Sequence, residues 1–363
     1  MPSNRARRRA MIAAHVAGLT AGMLADAAFA DPKRGHPVAG YGRAATRLEQ
    51  RLYGPDRRAG ARFAAVAVGV PVAAALAAQA ATRRRPVARA VLVAVATWAV
   101  VGGTSLRREA TAMAAELDAA TATTGPVGVE RVATGAPDPQ STVPPEVALK
   151  AARERLPNLC GRDPSALDAG EIARATVESV AENTSDAVVA PLFWGAVAGL
   201  PGLVGYRAVN TLDAMVGHRS ERYRDFGTAA ARLDDAANLV PARLTAALTV
   251  VAAPLVPDVS GRRGPARSAL GALVAWARYG RRHPSPNAGQ CEAAMAGALG
   301  VRLGGRNVYH GRSEVRPYLG RGPLPGPAEV RRAARISGAV GVAALAACVT
   351  GRVLVTRRGG ERA

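Results

Sequence analysis

The chain has 363 residues, 49% of them hydrophobic and only 4% aromatic, and its formal net charge is +21. A nucleic-acid-binding surface would need a basic face with interleaved aromatic residues or a known reading module. The sequence shows neither, so we expect no nucleic-acid partner and look instead to anionic lipid and phosphate-bearing substrates. Cys160, Cys291 and Cys348 are too far apart for a metal motif or a disulfide framework.

The distribution of charge predicts a polytopic membrane protein. Apolar stretches of roughly the length that crosses a bilayer, about 17–20 residues or slightly less, alternate with arginine-rich connections. We therefore expect an all-α fold, with one membrane-embedded domain over residues 1–363 that passes several times through the bacterial cell membrane. The apolar segments lie near residues 11–30, 63–81, 91–106, 188–206, 239–257 and 336–355.

Two connections between these segments have their own signatures. Thr121–Pro145 is rich in glycine, proline, threonine and valine without any period, which predicts a flexible insertion. Lys150–Arg155 then predicts a short helix. Asp168, followed by Glu171 three residues later, predicts the capped start of a longer helix.

Glu178, Glu182 and Asp186 recur every fourth residue on that longer helix and therefore share one face. Like charges at this spacing repel, so a merely solvated stripe would be slightly destabilising. Two interpretations stay open: a polar face near the membrane surface, or a stripe that binds Mg²⁺ or a cationic substrate group. Mg²⁺ is usually held by one or two carboxylates together with substrate phosphates and water.

Val188–Tyr206 is a poor candidate for one straight helix, because Pro191, Pro201 and several glycines interrupt it. Broken backbone is tolerated at membrane depth where protein buries it or where it lines a cavity. A complete crossing would place the acidic residues before and after the segment on opposite faces of the membrane. We therefore favour a re-entrant segment, which leaves both groups on one face.

Polar clusters follow this segment. Arginines alternate with acids through Arg219–Asp225, as in a salt-bridged surface loop or a phosphate clamp. Asn210 with Asp213, and Asp234 and Asp235 with Asn238, are further oxygen-rich clusters.

Near the end of the chain, Ser285 and Asn287 precede a helix of small residues over Cys291–Leu299. This start is either an anion site at a helix N-terminus or an ordinary cap. The sequence contains no Walker-type P-loop and neither H-E-x-x-H nor G-x-S-x-G. A nucleotide site of the P-loop kind is therefore not expected.

Taken in order, these motifs resemble those of the CobD/CbiB family of cobalamin biosynthesis proteins, and they cover most of the chain. Ala187 and Gln290-Cys291 depart from the family pattern, which leaves the roles of those positions open. The matching motifs are DPKRGHPV (Asp31–Val38), GRD (Gly161–Asp163), ESVAENTSD (Glu178–Asp186), APLFW (Ala190–Trp194), YRAVNTLDAMVGHRSERYRDFG (Tyr206–Gly227), ARLDDAANLVPARLT (Ala231–Thr245) and SPNAGQCEAAMAGALGVRLGG (Ser285–Gly305).

The resemblance implies an integral membrane adenosylcobinamide-phosphate synthase. Such a ligase joins adenosylcobyric acid to (R)-1-amino-2-propanol O-phosphate, or a related aminoalcohol, through an amide bond. It consumes ATP with Mg²⁺ at a site facing the cytoplasm, and other enzymes of the pathway are candidate partners. The alternatives are a non-catalytic membrane sensor, similar to the ampicillin-resistance signalling protein, and a transporter, since broken helices with buried charge also suit transport.

For a ligase of this kind we expect Glu182 and Asp186 to hold Mg²⁺ or the substrate ammonium group. The full set of catalytic candidates is Glu182, Asp186, Asp213, Glu221, Asp225, Asp234 and Asp235. The substrate-binding candidates are Asn183, Asn210, Arg219, Arg222, Arg224, Asp31, His36, Ser285, Asn287 and Asn307.

Overall fold

A computed structural model describes residues 4–32, 34–124, 144–218, 220–259, 261, 263–309 and 312–361. Over these ranges the chain forms helices and one antiparallel β-hairpin. The helices are α1 (Asn4–Phe29), α2 (Pro37–Leu52), α3 (Arg57–Ala81), α4 (Pro86–Val100), α5 (Gly103–Thr124), α6 (Pro145–Ala148), α7 (Lys150–Arg155), α8 (Ala169–Thr184), α9 (Ala190–Leu212), α10 (Thr228–Ala252), α11 (Pro265–Tyr279), α12 (Ala288–Leu299) and α13 (Pro327–Glu361). The strands are β1 (Arg302–Tyr309) and β2 (Arg312–Gly320).

The prediction of an all-α polytopic membrane protein is confirmed. Within the described ranges, six helical stretches are long and apolar enough to cross a bilayer, and each overlaps one of the predicted apolar segments. The stretch predicted near 91–106 is divided between α4 and α5, because the helix ends at Val100 and a new one begins at Gly103. The β-hairpin is a small element that was not predicted from the sequence.

The first transmembrane contact is a close packing of α1 against α4. A Cβ atom at Gly18 would lie 2.6 Å from Val93 Cβ, and one at Gly22 would clash with Thr97 Cβ. Small residues four apart on one helix let two backbones approach closely, as in many membrane helix pairs. The glycines therefore set the distance between α1 and α4.

α8 begins with the predicted capping box, in which Asp168 and Glu171 exchange side-chain and backbone hydrogen bonds. The helix then continues through a π-helical turn, Ser185–Val189, directly into α9. π-Turns inside α-helices are rare and often occur at functional sites. Here the turn carries Asp186.

α9 doubles back on itself at Gly199, whose φ of 71° and ψ of −150° are not helical. At this bend the Leu200 N–H donates to Oε1 of Gln79, near the end of α3, over 3.2 Å. Asn210 Nδ2 lies 3.2 Å from Asp186 Oδ2, although 24 residues separate them. A straight helix would separate them by about 36 Å. The segment is therefore re-entrant, as the prolines and glycines predicted.

The other part of the core joins α5, α8, α12 and the first part of α13. α12 is buried along its whole length, and β1 pairs with β2 from Arg302 opposite Gly320 to Tyr309 opposite Arg312. This part of the fold supports the helix end that carries Glu182 and Asp186.

The predicted flexible insertion Thr121–Pro145 is shorter than expected at both ends. Thr121–Thr124 belong to α5, and Pro145 begins α6. Residues 125–143 lie outside the described residues, so the prediction stays untested there. The short helix predicted at Lys150–Arg155 is confirmed as α7.

Candidate active site

Carboxylates from two of the sequence motifs meet at one cavity of about 30 Å³. Glu182 comes from the end of α8, Asp186 from the π-turn and Asp234 from α10. The cavity has room for an ion or a water molecule. Its other lining residues are Ser185, Asn238, Ala242, Ser285, Asn287, Ala288 and Cys291.

Neutral side chains hold Asp186 and Asp234 in place. Asn210 Nδ2 donates to Asp186 Oδ2 over 3.2 Å and lies 3.4 Å from Asp234 Oδ1. Asn238 Nδ2 donates to Asp234 Oδ2 over 3.0 Å, and the Tyr206 hydroxyl donates to Asn238 Oδ1 over 2.9 Å. Because these donors are uncharged amide groups, they orient the two carboxylates without pairing them with a cation.

Asn287 supplies a further oxygen to this cavity. Its Nδ2 donates to the backbone carbonyl of Asp235 over 2.8 Å, which leaves Oδ1 buried and without a hydrogen-bond partner. Ser285 Oγ accepts the backbone N–H groups of Asn287 and Ala288 over 3.3 and 3.2 Å. Ser285 therefore shapes the start of α12, while the amide oxygen of Asn287 is an orphan acceptor beside the carboxylates.

The acidic residues of the stripe on α8 have two different roles. Glu178 is buried, accepts Arg162 Nη2 over 2.6 Å, and accepts the Gly304 N–H over 2.7 Å. Arg174 lies 3.5 Å away on the preceding turn. Glu178 is thus a structural anchor between α8 and β1, whereas Glu182 and Asp186 open onto the cavity.

Comparison with known proteins assigns the chain to a family. The CobD/Cbib protein family matches residues 19–133 and 138–337. The chain belongs to the CobD/CbiB family. It therefore takes part in cobalamin biosynthesis, and only residues 134–137 interrupt the match within the region it covers.

Relatives named Cobalamin biosynthesis protein CobD match between about half and nearly all of the chain. The one from Mycobacterium tuberculosis is 46% identical over 342 residues, which are 94% of this chain and 96% of the relative. The one from Geobacter metallireducens is 40% identical over 303 residues, 82% and 84% of the two chains. The one from Rhodobacter capsulatus is 52% identical over 185 residues, 51% and 55% of the two chains. No solved structure gives a significant match.

The family motif at Asp31–Val38 lies beside the π-turn. His36 Nε2 is 3.3 Å from Asp31 Oδ1, while His36 Nδ1 accepts the Val38 N–H over 3.2 Å, so the proton resides on Nε2. The Gly102 N–H donates to the carbonyl of Ala187, in the π-turn, over 3.1 Å. The Asp31 N–H donates to Ser105 Oγ, at the start of α5. Asp31 and His36 are thereby placed near Asp186 without lining its cavity.

The arginine-acid motif after α9 is docked on α2 and α3. Arg222 Nη2 lies 3.0 Å from Glu49 Oε1 and its guanidinium stacks 4.2 Å over the ring of Tyr53. Asp225 Oδ1 accepts Arg57 Nε over 3.1 Å at the surface. Each of these two predicted site residues has a partner outside the cavity.

The remaining predicted residues are distributed around the site. Asp213 sits in a second π-helical turn, Asp213–Gly217, and Asp235 is exposed. Asn183 Nδ2 donates to the carbonyl of Ser179 over 2.9 Å, and buried Asn307 Oδ1 accepts Arg174 Nη1 over 2.9 Å. Neither of these asparagines lines the cavity. Glu221 and Arg224 are exposed, and Arg219 lies outside the described residues.

A further buried acid, Glu292 of α12, lies next to this region and is not among the residues predicted from the sequence. Its Oε1 lies 3.9 Å from Nε2 of buried His283, which is itself 3.4 Å from Arg316 Nη1. Burial raises the pKa of Glu292 well above its usual value, and the carboxylates of Glu178 and Glu182 raise it further. Burial, with Arg316, lowers the pKa of His283. A lone acid in a run of small residues gave no pattern by which to find it.

Tyr206 was also missed as a site residue, and Asn238 was predicted only as part of the oxygen-rich cluster with Asp234 and Asp235. Both stand inside family motifs, but their role depends on the fold-back of α9, which brings Tyr206 against α10. Only the two prolines and the glycines of α9 hinted at that geometry.

Proposed function

We propose that the chain is an ATP-dependent amide ligase that makes adenosylcobinamide phosphate. It would join a propionate carboxyl of adenosylcobyric acid to the amine of (R)-1-amino-2-propanol O-phosphate or a related aminoalcohol. The observation that carries this proposal is the convergence of Glu182, Asp186 and Asp234 on one cavity. A family of cobalamin biosynthesis supplies the substrate class, and the cavity supplies the acid and base groups that amide synthesis needs.

Forming an amide from a carboxylate requires activation. In the proposed reaction the propionate oxygen takes the terminal phosphoryl group of ATP, which releases ADP, and the amine then displaces phosphate. The amine must lose a proton as the C–N bond forms, and a carboxylate within reach accepts it. Asp234 suits this role, since Asn238 and Asn210 fix both of its oxygens. Asp186 is oriented in the same way and would position the ammonium group of the incoming substrate.

The donor set fits Mg²⁺. Glu182, Asp186 and the orphan Oδ1 of Asn287 are all hard oxygen donors at one cavity. Among the described residues no group of three His, Cys, Asp or Glu side chains forms a ready-made metal site. This agrees with Mg²⁺ held by one or two carboxylates and completed by substrate phosphates. When bound, Mg²⁺ would offset the negative charge of the transferring phosphoryl group.

Arginines outside the cavity would bind the phosphate groups of the substrates. The family motif offers Arg222 and Arg224 in a surface loop that α2 and α3 support, and it also contains Arg219, which lies outside the described residues. Arg222 already pairs with a carboxylate at 3.0 Å, and the same planar fork suits phosphate oxygens. ATP is a cytoplasmic substrate, so we place this face of the protein in the cytoplasm and the partners, corrinoid and aminoalcohol phosphate, on the same side.

The test is an assay of the purified full-length protein in detergent with adenosylcobyric acid, aminopropanol phosphate and MgATP. We expect ADP and corrinoid amide to appear in equal amounts. Corrinoid product formed at the full rate without nucleotide would refute the ATP step. Absence of product under all conditions, with corrinoid still bound, would favour the sensor. Uptake of corrinoid into vesicles without amide formation would favour the transporter.

A further inference from the structure

Two surface depressions lie together on the outside of the α5–α13 pair, away from the carboxylate cavity. Two adjoining depressions of about 380 and 540 Å³ share Arg107 and Thr111. Arg335 borders one of them and Arg108 borders the other. We call this surface the α5–α13 groove; its remaining lining residues are Ala334, Gly338, Ala339, Val342, Thr104, Ala112 and Ala115.

The groove lies where both helices change from uncharged to charged sequence. Val91–Leu106 carries no charge, and Arg107 and Arg108 are the first charges after it. Ile336–Thr350 carries no charge, and Arg335 is the last charge before it. Two neighbouring helices with the same boundary mark the level of a membrane surface, where arginine heads and apolar residues are both favoured.

The chemistry of the groove is that of an anion site with an apolar extension. Arg108, Thr111 and Arg335 are exposed, and no acidic residue lines either depression in the part of the chain that the structure describes. Two acids lie near the groove without lining it: Asp26 accepts Oγ1 of the lining residue Thr104 over 2.9 Å, and Glu109 pairs with Arg155 at 3.0 Å.

On its apolar side the groove passes Gly338 and Ala339 and reaches Val342, which is 69% exposed within the uncharged stretch. A Cβ at Gly338 would lie 2.6 Å from Arg107 Nη1, so the glycine lets the guanidinium lie flat across α13. Arg107 Nη2 also donates to Thr104 Oγ1 over 2.9 Å. A soluble anion would use only the arginine end, whereas a phospholipid would use the arginine end and the apolar end together.

We propose that the α5–α13 groove binds the headgroup of an anionic phospholipid, with the phosphate between Arg108, Arg107 and Arg335 and an acyl chain along Ala339 and Val342. Arg107 already packs inside the fold, so it positions the headgroup. The exposed Arg108 and Arg335 would supply most of the positive charge that can reorient towards the lipid phosphate. This site is independent of the proposed ligase activity, and its test requires no turnover.

The experiment is native mass spectrometry of the full-length protein in detergent, titrated with phosphatidylglycerol or with phosphatidylcholine of the same acyl chains. We expect the first phosphatidylglycerol to bind more tightly than phosphatidylcholine. The double variant Arg108→Gln/Arg335→Gln should bind it about 25-fold more weakly, about fivefold per arginine, since a basic residue near an anionic surface contributes about 1 kcal/mol. The matched control Arg83→Gln/Arg84→Gln removes the same charge at the α3–α4 turn, where both arginines are exposed, and should keep wild-type affinity.

Four results would overturn the proposal. The first is equal affinity for the two lipids, and the second is an equal weakening of phosphatidylglycerol binding in the control variant. The third is displacement of phosphatidylglycerol by millimolar sn-glycerol 3-phosphate. The fourth is a wild-type dimer that the double substitution converts to monomers. The third would assign the groove to a soluble phosphate and the fourth to a second copy of the chain. Arg335→Lys, which keeps the charge, should retain most of the affinity. If the double variant melts early, each single variant is measured by itself against the fivefold expectation.

Discussion

At the scale of single residues, the site depends on carboxylates that are fixed by neutral partners and not by cations. Asn210 bridges Asp186 and Asp234, and Tyr206 with Asn238 closes the same network. A carboxylate paired with arginine, such as Glu178 with Arg162, has its charge already offset. Glu178 and Asp186 belong to the same stripe on α8 and its π-turn, but they differ in function because Glu178 pairs with an arginine and Asp186 with an asparagine.

Asp186→Asn should abolish ligase activity while leaving the protein folded. Asparagine keeps the shape of the side chain and removes the charge that would hold Mg²⁺ or the substrate ammonium. We expect a fall in rate of about 100-fold or more, because reaction within a bound complex depends strongly on positioning. The measurement is turnover of adenosylcobyric acid by the purified variant, alongside its melting temperature.

Asp118→Asn is the matched control, since Asp118 forms a surface ion pair with Arg331 on the far part of α5. A surface pair contributes little to stability, and this residue is remote from the cavity lining, so the control should turn over normally. Near-normal activity of Asp186→Asn would show that the whole α8 stripe is structural.

Glu292→Gln should stabilise the protein increasingly as the pH rises. The folded-state pKa of Glu292 is raised by burial, so the folded protein keeps a proton that the unfolded chain loses near pH 4.3. Above that pH the unfolded state binds fewer protons, and the free energy of unfolding falls as pH rises towards the folded-state pKa. Glutamine resembles the protonated acid and removes this dependence.

The measurement for Glu292 is the melting temperature in detergent between pH 4.5 and 8.5. The gain of the variant over wild type should grow as the pH rises from 4.5 towards the folded-state pKa of Glu292 and stay constant above it. Glu154→Gln, in an exposed pair with Lys150, should stay within about 0.5 kcal/mol of wild type at every pH. A constant difference for Glu292→Gln would mean that Glu292 is ionised in the folded protein.

At the scale of elements, the bend in α9 is what brings the acids before and after it together. Gly199 has a φ and ψ that are essentially restricted to glycine. A Cβ there would lie 2.7 Å from Gln79 Oε1. Gly199→Ala should therefore cost about 1–3 kcal/mol of stability and lower activity by displacing Asn210 from Asp186.

Gly69→Ala is the matched control for the bend. Gly69 is in the interior of α3, and a Cβ there would meet nothing within 4 Å. Alanine is favoured over glycine in a helix by roughly 0.5–1 kcal/mol, so this variant should be at least as stable as wild type. Melting temperature and turnover of both variants are the measurements, and equal behaviour of the two would contradict the role assigned to the bend.

The sequence predicted the elements whose signal is local. Charge-free stretches indicated the spans, and Asp168 with Glu171 indicated the start of α8. Pro191, Pro201 and the glycines indicated a re-entrant α9. The β-hairpin escaped prediction because Gly304 and Gly305, which normally weaken a strand, sit inside β1 with positive φ of 81° and 93°. That strand is fixed by contacts from α8, including the hydrogen bond from Gly304 to Glu178.

The candidate site was predicted in part for the same reason. Glu182, Asp186 and Asp234 stood out by charge, and Asn210 by its spacing. Their common cavity depends on contacts made across the returning α9, such as Asn210 with Asp186, and sequence spacing does not show which side chains meet there. Glu292 lacked any charged neighbour in its helix, and Asn307 looked like a ligand residue although its oxygen is occupied by Arg174.

At the scale of the whole molecule, α3 runs from the loop that follows α9 to the bend of α9, and its two ends lie on opposite sides of the membrane. At one end of α3, Gly60 approaches the backbone of Phe226, in the loop that carries Glu221 and Arg222. At its other end, Gln79 meets the bend of α9 at Gly199. Its length of about 37 Å is enough to cross the hydrocarbon core. The loop after α9 and the arginine turn after α3 therefore lie on opposite sides.

Cysteine labelling tests this arrangement together with the proposed orientation. In a Cys160→Ser background, which removes the half-buried thiol and leaves two buried ones, single cysteines replace exposed Asn158, Glu221 or Arg84. An impermeant thiol reagent should label the first two in inverted vesicles and the third in intact cells, because ATP is available only at the cytoplasmic face. Asn158 lies next to Leu159, whose carbonyl accepts Ser179 Oγ of α8 over 2.6 Å, so it reports on the side of α8.

Labelling of Asn158→Cys and Glu221→Cys from opposite faces would make α9 a complete crossing and would separate Glu182 from the arginine loop. Labelling of both only from outside the cell would retain the re-entrant fold and exclude a cytoplasmic ATP site.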